Sequence, residues 1–462
     1  MKLKEECGIV GVVSNNGGNV ASFIAYQNLL HLQHRGQESA GIVSFVGFEP
    51  VSHKNSGLVS NVFTEEDLKK LKGKIAIGHV RYSTSGKNSF YDIQPFVVNL
   101  PRYGYITLAH NGHIANASSL RKMLEKEGSI FQSTSDTEVI LHLIAHSQKG
   151  NLRERLEDAL SKIEGSYSLI IASHEGIYAI KDPYGFRPLF MARLSDGTVI
   201  FTSETCALGD FPVVEIRELH EGEWVYVNTK GETLFYNPFE EKASRFCLFE
   251  FIYFSRPDSK YEGKSVYSYR KSMGKILARE APINADWVVP VPDSGIPAAI
   301  GYSEESRIPI EMVLMRSHYI GRTFIKPKQK ERESAVKMKF LLIGDLVKGK
   351  RIVLVDDSLV RGTTAKRLAE GFREEGAKEV HLRLSSPPLI YPCHYGVDIP
   401  NTQELISCHY SPKEIAELLG FDSVAFLSLG GLISILPERG YCGECFGKKM
   451  VENSKRNQLL IV

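Results

Sequence analysis

The chain has 462 residues, of which 43% are hydrophobic and 24% are charged, and its formal net charge at pH 7 is +2. This composition is typical of an ordinary globular protein of two or three domains, and the small net charge excludes a global attraction to nucleic acid or membranes. No run of about 18 apolar residues predicts a transmembrane helix, and the start MKLKEE lacks the apolar core of a secretory signal. Seven cysteines do not make a disulfide scaffold in a chain of this length, so a cytoplasmic location is expected.

Short β-like segments dominate the first half of the chain. They are GIVGVV (8–13), KIAIGHV (74–80), YITLAH (105–110), YSLIIAS (167–173), GIYAIKD (176–182) and EWVYVN (223–228). Two helices are predicted between them, at about 19–34 and at 136–148, and Ser135 and Glu138 have the spacing of a capping box at the start of the second. Residues 237–246 are polar and contain a proline, which predicts a linker.

Strands and helices alternate after the linker. Helices are predicted near 265–280, from about 296 and up to about 375, and strands are predicted at 287–292, 351–357 and 379–386. Such alternation predicts a parallel, doubly wound sheet in the second half.

Residues 353–364, VLVDDSLVRGTT, form the most informative stretch of this second half. An apolar strand ends in two aspartates, and an Arg-Gly-Thr-Thr sequence then opens a helix. The arginine adds positive charge, the glycine permits a sharp turn, and the threonine hydroxyls lie beside the first N–H groups of the helix, which together favour phosphate. Carboxylates can accept hydrogen bonds from a sugar diol, so the stretch predicts a site for a sugar 5′-phosphate. The candidate residues are Asp356, Asp357, Arg361, Gly362, Thr363 and Thr364.

This pattern resembles the ribose-phosphate signature of the type I phosphoribosyltransferases, which bind phosphoribosyl pyrophosphate with Mg²⁺. Two adjacent aspartates alone would fit any αβ unit, but the twelve-residue pattern favours the phosphoribosyl site. The resemblance implies that the turn PDSG at 292–295 is the pyrophosphate loop, although PDSG alone is also an ordinary turn. It implies substrate contacts from Asp293, Ser294 and Gly295, and one Mg²⁺ per subunit held by Ser294, Asp356 and Asp357.

Residues 321–339 are strongly basic, with seven lysines and arginines against two glutamates. Such a run is often a solvated loop or a nucleic-acid patch. In the phosphoribosyltransferases this region is a lid that closes over the sugar and excludes water, and the resemblance implies the same here.

Cys7 stands in the sequence CGIVG near the start of the chain, where a cysteine alone is more often a buried strand residue. Four later segments follow it: HRGQESAG (34–41), GHVRYSTSG (78–86), HNGHIAN (110–116) and STSDTE (133–138). Together they resemble the class II glutamine amidotransferases, which are N-terminal-nucleophile hydrolases with an αββα fold. In that family the α-amine of the N-terminal cysteine is the base, and a free α-amine titrates near pH ~7.7–8.0. A peptide nitrogen cannot act in this way, so the resemblance implies that residues 1–6 are a propeptide.

The same resemblance implies roles for five further residues. Asn111 and Gly112 would form the oxyanion hole, Arg81 and Asp136 would hold the α-carboxylate and α-ammonium of glutamine, and Arg35 would support the nucleophile turn. Each has a simpler interpretation taken alone. An Asn-Gly pair is common in hairpin turns, an aspartate is favoured at a helix N-terminus, and an arginine often forms a surface ion pair.

Four cysteines in the second half, Cys247, Cys393, Cys442 and Cys445, are candidate metal ligands. Four thiolates suit an iron–sulfur cluster or zinc, whereas the CxxC pair alone also suits a redox centre. Their positions resemble those of the subgroup of glutamine phosphoribosyl pyrophosphate amidotransferases that carry one [4Fe–4S] cluster per subunit, and zinc is the alternative.

The two halves together resemble that amidotransferase family over nearly the whole chain. The resemblance implies a glutamine amidotransferase domain at 7–237 and a phosphoribosyltransferase domain with a C-terminal extension at 247–462. It implies that ammonia from glutamine displaces pyrophosphate from phosphoribosyl pyrophosphate to give 5-phosphoribosylamine, the first committed step of de novo purine biosynthesis. It also implies purine nucleotide inhibitors and a homotetramer.

Two other classes of function stay open at this point. Another glutamine amidotransferase, such as a glucosamine-phosphate synthase, would share the first half, but the DDSLVRGTT signature does not fit a sugar-isomerase domain. A non-enzymatic regulator could keep the phosphoribosyltransferase fold and bind nucleic acid, but it would not need a glutaminase half, and no helix-turn-helix is evident.

Overall fold

The computed structural model describes residues 7–452, apart from Gly17, 83–88, Arg102, Asp210, Glu241, 317–339, Asp398 and Pro400. The predicted propeptide at 1–6 and the predicted lid at 321–339 therefore lie outside the described residues, as do positions 83–86 of the GHVRYSTSG segment. Internal contacts divide the described chain into two units. The first comprises 7–247 and 393–397, and the second comprises 248–392 and 399–452.

The first unit is built on two antiparallel sheets with helices between their strands in sequence. Its elements are β1 (Gly8–Val13), α1 (Val20–His31), β2 (Ser39–Val46), β3 (Glu49–Ser56), α2 (Val59–Val62), α3 (Glu65–Lys70), β4 (Ile75–Arg81), β5 (Phe96–Leu100), β6 (Gly104–Ile114), α4 (Ala117–Lys126), α5 (Thr137–His146), α6 (Leu152–Leu160), β7 (Gly165–Ser173), β8 (Gly176–Lys181), β9 (Phe190–Leu194), β10 (Val199–Thr202), β11 (Val213–Glu218), β12 (Trp224–Asn228), β13 (Thr233–Tyr236) and β14 (Phe246–Cys247). The strand orders are β11-β9-β10-β1-β4-β2-β3 and β13-β12-β8-β7-β6-β5.

The two sheets pack face to face, and helices cover their outer faces. Successive side chains of a strand point to opposite faces, so Val10 and Val12 of β1 join a core with α1, whereas Ile9 and Val13 join a core that includes Ile170 of β7. The other face of the second sheet packs on α5 and α6. This arrangement confirms the predicted αββα fold, and it explains why β1 is apolar along its whole length.

The second unit is built on a parallel sheet in the order β17-β20-β21-β22. Its elements are β15 (Lys260–Tyr261), β16 (Lys264–Ser265), α7 (Val266–Glu280), β17 (Trp287–Pro290), α8 (Ile296–Ser306), β18 (Leu314–Arg316), β19 (Phe340–Leu342), β20 (Arg351–Asp356), α9 (Thr363–Glu374), β21 (Glu379–Leu384), α10 (Ile406–His409), α11 (Pro412–Leu419), β22 (Ser423–Phe426), α12 (Leu429–Ile433), β23 (Gly440–Gly443) and β24 (Lys448–Glu452). Ile352 and Leu354 of β20 face a core formed with α9 and α11.

Helices α7 and α8 form a close pair on the opposite face, where α8 contacts β17 and β20. A Cβ added to Gly274 of α7 would lie 1.8 Å from the Ala298 carbonyl oxygen, and one added to Gly301 of α8 would lie 1.8 Å from the Lys271 carbonyl oxygen. Only glycine allows such an approach of two backbones. With helices on both faces, the sheet confirms the predicted doubly wound fold.

The predicted strands and helices quoted above coincide with observed elements to within a few residues. The predicted capping box at Ser135 was wrong. The residue preceding α5 is Asp136, which makes no side-chain cap bond, and the Glu138 carboxylate instead accepts hydrogen bonds from the N–H groups of Gln132 and Ser133 and from the Ser133 hydroxyl. None of the helices within the described ranges is both long and apolar enough to cross a membrane.

Candidate active sites

Cys7 lies directly before the buried strand β1, and a buried ion pair holds its backbone. The Cys7 carbonyl accepts a hydrogen bond of 3.0 Å from Nε of Arg35. Arg35 and Glu204 are fully buried and their charged atoms lie 2.6 Å apart, while Nε2 of His34 lies 2.8 Å from the same carboxylate. A buried ion pair is favourable only when extra hydrogen bonds offset its desolvation, so this network fixes the position of Cys7. Sequence reasoning missed Glu204, which lies 169 positions from Arg35.

A pocket opens beside Cys7 in the first unit. It brings together four predicted residues, Arg81, Asn111, Gly112 and Asp136, whereas Arg35 bonds to the Cys7 carbonyl and is not part of the pocket wall. The lining residues are Cys7, Arg81, Tyr82, Gln94, His110, Asn111, Gly112, His113, Thr134, Ser135, Asp136, Thr137, Arg187 and Gly396.

Asn111 and Gly112 lie within the paired part of β6, opposite Ser168 and Tyr167 of β7, so they do not form a hairpin turn. Asn111 is 1% exposed, and neither atom of its side-chain amide has a hydrogen-bond partner among the described residues. A buried polar group without a partner costs about 1–3 kcal/mol, which indicates that this amide faces a ligand. Gly112 has a φ of +150°, and a Cβ there would lie 2.1 Å from the Ser166 carbonyl oxygen.

Two opposite charges lie in the pocket wall. Nη2 of Arg81 lies 3.6 Å from the carboxylate of Asp92, which is completely buried. The Asp136 carboxylate accepts a 2.8 Å hydrogen bond from the Ile114 N–H and is 3.5 Å from Nδ1 of His113. Arg81 and Asp136 thus offer a cation and an anion to a zwitterionic ligand.

A buried polar network lies behind β6. The Nδ1 atom of His110 is 3.0 Å from the Thr137 hydroxyl, and the His110 N–H donates to Gln94 at 2.8 Å. Nε2 of His79 lies 3.2 Å from the His110 carbonyl oxygen. Burial lowers the pKa of His79 to about 3 and also lowers the pKa of His110. Both rings are therefore neutral at physiological pH, and they add no charge behind the pocket.

In the second unit, the two predicted substrate loops lie at the same edge of the sheet. Pro290 of β17 pairs with Val355 of β20 in parallel register, so the loops that follow both strands leave the sheet side by side. Ligands of open α/β sheets bind at this carboxyl edge. The Ser294 hydroxyl donates to the Asp357 carboxylate, which also accepts a 2.6 Å bond from the Ser358 hydroxyl.

The phosphate seat predicted at 361–364 has the expected local geometry. Gly362 precedes α9 with a φ of +75°, which favours glycine. A Cβ there would lie 2.9 Å from a Leu419 methyl group. Thr363 and Thr364 occupy the first turn of α9, where N–H groups without intrahelical partners favour anions.

Four charged side chains near these loops are paired with one another. Arg361 forms an ion pair with Glu404, and Asp293 forms one with Arg316. These groups are partly exposed, and surface pairs of this kind contribute about 0–1 kcal/mol each. Substrate can therefore replace their partners at little cost.

Cys247 and Cys393 belong to the first unit, and Cys442 and Cys445 belong to the second. The Cys393 sulfur accepts a 3.2 Å hydrogen bond from the Tyr395 N–H.

A different group of possible metal ligands is formed by His34, Glu204 and Cys206, whose ligand atoms lie within 4.8 Å of one another. The Arg35 guanidinium already occupies the Glu204 carboxylate at 2.6 Å, and a cation beside it would be repelled. This group therefore supports the Cys7 backbone through Arg35 and is poorly suited to a metal.

Comparisons with known proteins agree with this division of the chain. A glutamine amidotransferase domain model matches residues 79–210, and a phosphoribosyl transferase domain model matches residues 265–385. Amidophosphoribosyltransferase 1, chloroplastic, of Arabidopsis thaliana is 48% identical across 96% of this chain and 78% of the relative. The amidophosphoribosyltransferase of Bacillus subtilis is 44% identical across 96% of this chain and 93% of the relative.

A solved structure of the glutamine phosphoribosylpyrophosphate amidotransferase from B. subtilis, complexed with ADP and GMP, matches with a TM-score of 0.89 and 42% identity. The match covers 97% of this chain and 98% of that one. Because the match covers both halves of the chain, it excludes a second half of the sugar-isomerase type. It also excludes a regulator that has no glutaminase half. The chain therefore belongs to the amidophosphoribosyltransferase family, the glutamine-dependent transferases of purine biosynthesis.

Proposed function

We propose that the two sites divide the reaction, with glutamine hydrolysis in the first unit and phosphoribosylamine synthesis in the second. Ammonia released at Cys7 attacks C1 of phosphoribosyl pyrophosphate, pyrophosphate leaves, and 5-phosphoribosylamine forms. The observation that carries this proposal is the buried Asn111 amide, which has no partner among the described residues and lines the same pocket as Cys7.

Hydrolysis begins when the Cys7 thiol attacks the side-chain amide carbon of glutamine. Removal of residues 1–6 frees the α-amine of Cys7, which accepts the thiol proton and passes it to the leaving ammonia. The negative oxygen of the tetrahedral intermediate is stabilised by the Asn111 side chain and the Gly112 N–H, because donors fixed in a buried strand need no reorganisation during the reaction. Water then hydrolyses the thioester and releases glutamate.

Arg81 and Asp136 select glutamine over a simple amide. Arg81 pairs with the α-carboxylate, and Asp136, fixed by the Ile114 N–H, pairs with the α-ammonium. Arg35 acts through the Cys7 carbonyl and its buried pair with Glu204, so it positions the nucleophile and does not touch substrate.

In the second unit, the residues at the carboxyl edge of the sheet bind phosphoribosyl pyrophosphate. Asp356 and Asp357 accept hydrogen bonds from the ribose hydroxyls, and the first turn of α9 holds the 5′-phosphate. Arg361 and Gly362 complete that phosphate seat. The loop Asp293–Gly295 holds the pyrophosphate.

Mg²⁺ fits this second site because the Ser294 hydroxyl and the carboxylates of Asp356 and Asp357 are oxygen donors, which Mg²⁺ prefers. These three residues would hold the ion, which neutralises charge on the departing pyrophosphate when it is bound. The sequence-based prediction of a lid at 321–339 concerns residues outside the described ranges and stays a prediction.

An iron–sulfur cluster is proposed for Cys247, Cys393, Cys442 and Cys445. Cysteine sulfurs are the ligands that such clusters require, and the Tyr395 N–H donates to the Cys393 sulfur. Its proposed role is structural, because none of the four residues lies in a substrate motif. Zinc is the alternative metal, and metal analysis of anaerobically purified protein separates about four irons per chain from one zinc.

Purine nucleotides are the proposed feedback inhibitors, since the related B. subtilis structure contains ADP and GMP. The homotetramer and the cytoplasmic location stay predictions.

The division of labour is tested with Cys7→Ala and a Cys408→Ala control, which removes a thiol of the second unit that no substrate motif contains. Pyrophosphate release is measured with glutamine or with ammonium chloride as the nitrogen source. We expect Cys7→Ala to lose the glutamine-dependent rate and keep the ammonia-dependent rate, while Cys408→Ala keeps both. Loss of both rates in a folded Cys7→Ala protein would contradict the proposal.

A further inference from the structure

A short segment from the second half of the sequence belongs to the first unit and reaches its pocket. Residues 393–397 cluster by contacts with 7–247, although the residues on both sides of them belong to the second unit. Gly396 of this segment lines the pocket together with Cys7, Asn111 and Gly112. None of the predicted catalytic motifs includes these residues, apart from the proposed cluster ligand Cys393.

The Tyr395 carbonyl is bonded to two buried side chains of the first unit. The Ser166 hydroxyl donates to it at 2.7 Å, and Nη2 of Arg187 donates to it at 2.5 Å. Ser166 and Arg187 are both 0% exposed. The Ser166 oxygen also accepts a 3.3 Å hydrogen bond from the N–H of His113, its partner across β6 and β7. A continuous path of hydrogen bonds therefore runs from Tyr395 to the residue that follows Gly112.

The Tyr395 side chain is held as firmly as its carbonyl. Its ring stacks on Phe186 with a centroid separation of 4.2 Å and an interplanar angle of 21°. Nη1 of Arg245 lies 3.4 Å from its hydroxyl. The carbonyl thus has a fixed direction, which a mobile loop could not provide.

Gly396 packs closely against the oxyanion strand, in a backbone conformation that favours glycine. Its φ is +104°, and a Cβ there would lie 3.0 Å from the Cβ of His113, 3.3 Å from Nη2 of Arg187 and 3.5 Å from the carbonyl carbon of Gly112. The position therefore packs backbone against the strand that carries the proposed oxyanion donors.

We propose that residues 393–397 are a positioning element for glutamine hydrolysis, which holds Gly112 and His113 in place through the Tyr395 carbonyl, Ser166 and Arg187. The proposal rests on the oxyanion role given above to Asn111 and Gly112. The positioning residues are proposed to act on the backbone of β6 and not on a reacting atom. Their effect is on the rate of amide cleavage, because a donor displaced by a fraction of an ångström stabilises the oxyanion less.

The first test is Ser166→Ala, with Ser173→Ala as the matched control. Ser173 lies at the other end of β7 and its hydroxyl also accepts a backbone N–H, from Glu175. We expect Ser166→Ala to lower kcat for glutamine hydrolysis about tenfold, as for loss of a buried hydrogen bond, with KM changed less than about threefold. Ser173→Ala should keep the wild-type kcat, and Ser166→Thr, which retains the hydroxyl, should recover most of the lost rate.

The second test is Gly396→Ala, with Gly104→Ala as the matched control. Both glycines have positive φ, but a Cβ on Gly104 would have no neighbour within 4 Å among the described residues. Backbone strain is therefore common to the two variants, and the contact with the oxyanion strand is specific to Gly396. We expect only Gly396→Ala to lose glutamine hydrolysis, while its ammonia-dependent synthesis stays at the wild-type rate.

Cys7→Ala is measured in parallel to separate the two hypotheses. If Cys7→Ala still hydrolyses glutamine, the proposed function is wrong whatever the other variants do. If Cys7→Ala is inactive while Ser166→Ala and Gly396→Ala hydrolyse glutamine at the wild-type rate, only the positioning role is overturned. An equal loss of glutamine-dependent and ammonia-dependent rates in Ser166→Ala, with a lowered melting temperature, would indicate a general structural role and would also overturn it.

Discussion

The two candidate sites differ in how their polar groups are satisfied before substrate binds. In the first, the Asn111 amide is buried in a strand and has no partner within the described chain. In the second, Ser294 is bonded to Asp357, and Arg361 and Asp293 are ion-paired with neighbours. Under the proposed function, the first site is preformed around a charge that develops during the reaction, whereas the second exchanges existing partners for those of a highly charged substrate.

The largest effect is expected at the preformed site. Asn111→Ala should lower kcat for glutamine hydrolysis by about 10²–10³-fold, the usual loss of one oxyanion donor, and leave ammonia-dependent synthesis unchanged. Steady-state kinetics with each nitrogen source measures both. Asn99→Ala on the neighbouring strand β5 is the control. A loss below about threefold would mean that Asn111 does not face the oxyanion.

At the second site, Asp357→Asn should reduce pyrophosphate release about 100-fold with either nitrogen source, because it removes a charged partner of the ribose or the metal, worth about 1.5–3 kcal/mol. The amide keeps the shape of the buried side chain, so folding is preserved. Asp286→Asn, which removes a charge at the opposite edge of the same sheet, should have little effect on the rate. A loss confined to the glutamine-dependent rate would contradict the assignment of Asp357 to the phosphoribosyl site.

The buried histidines behind the first site predict that the stability of the first unit depends on pH. The folded-state pKa of His79 is about 3, below its ordinary value of 6.5, because the ring is buried. Between these values the unfolded state binds the extra proton, so stability is lost as pH falls below 6.5 and the loss is complete near 3. In this range the equilibrium constant of unfolding rises by up to tenfold for each unit by which the pH falls. This corresponds to a loss of about 1.36 kcal/mol in the free energy of unfolding per pH unit.

Urea unfolding at several pH values checks this, with Trp224 as the buried reporter of the first unit in a Trp287→Phe background. His79→Leu should reduce the slope of stability against pH between about 6 and 4. An unchanged slope would show that His79 becomes protonated within the fold.

The smallest effect is expected from the exposed pairs of the second site. Glu404→Gln removes the charged partner that competes with the substrate phosphate for Arg361, and it should lower KM for phosphoribosyl pyrophosphate up to about fivefold, the limit for a surface pair. Glu305→Gln breaks the exposed pair with Arg279 on the same unit and should leave KM unchanged. A higher KM in Glu404→Gln would mean that the pair positions Arg361 rather than restrains it.

The site residues predicted from the sequence are those that lie in contiguous motifs. Cys7, Asn111 and Asp357 each sit in a short pattern whose residue types fit one chemistry, and the strands around them have clear periodicity. Sequence reasoning missed Glu204 and Asp92, because each acts through a partner distant in sequence and neither lies in a motif. It also placed a capping box at Ser135, where the Glu138 carboxylate is drawn instead to the N–H groups of an irregular turn.

The segment 393–397 was beyond sequence reasoning for a related reason. Its contacts with the first unit depend on a backbone carbonyl and a glycine, and neither leaves a compositional signal. The Tyr395 carbonyl is bonded to Ser166, 229 positions away, and no sequence pattern indicates a contact at that separation.

The close pair of helices in the second unit has a consequence for how this enzyme can diverge. At Gly274 and Gly301 even one methyl group would lie 1.8 Å from a carbonyl oxygen of the facing helix. In a randomised library selected for purine prototrophy, both positions should return glycine almost exclusively, as invariantly as the nucleophile. Invariant glycines at these two positions would reflect the close contact of two helix backbones. They would not indicate a catalytic role.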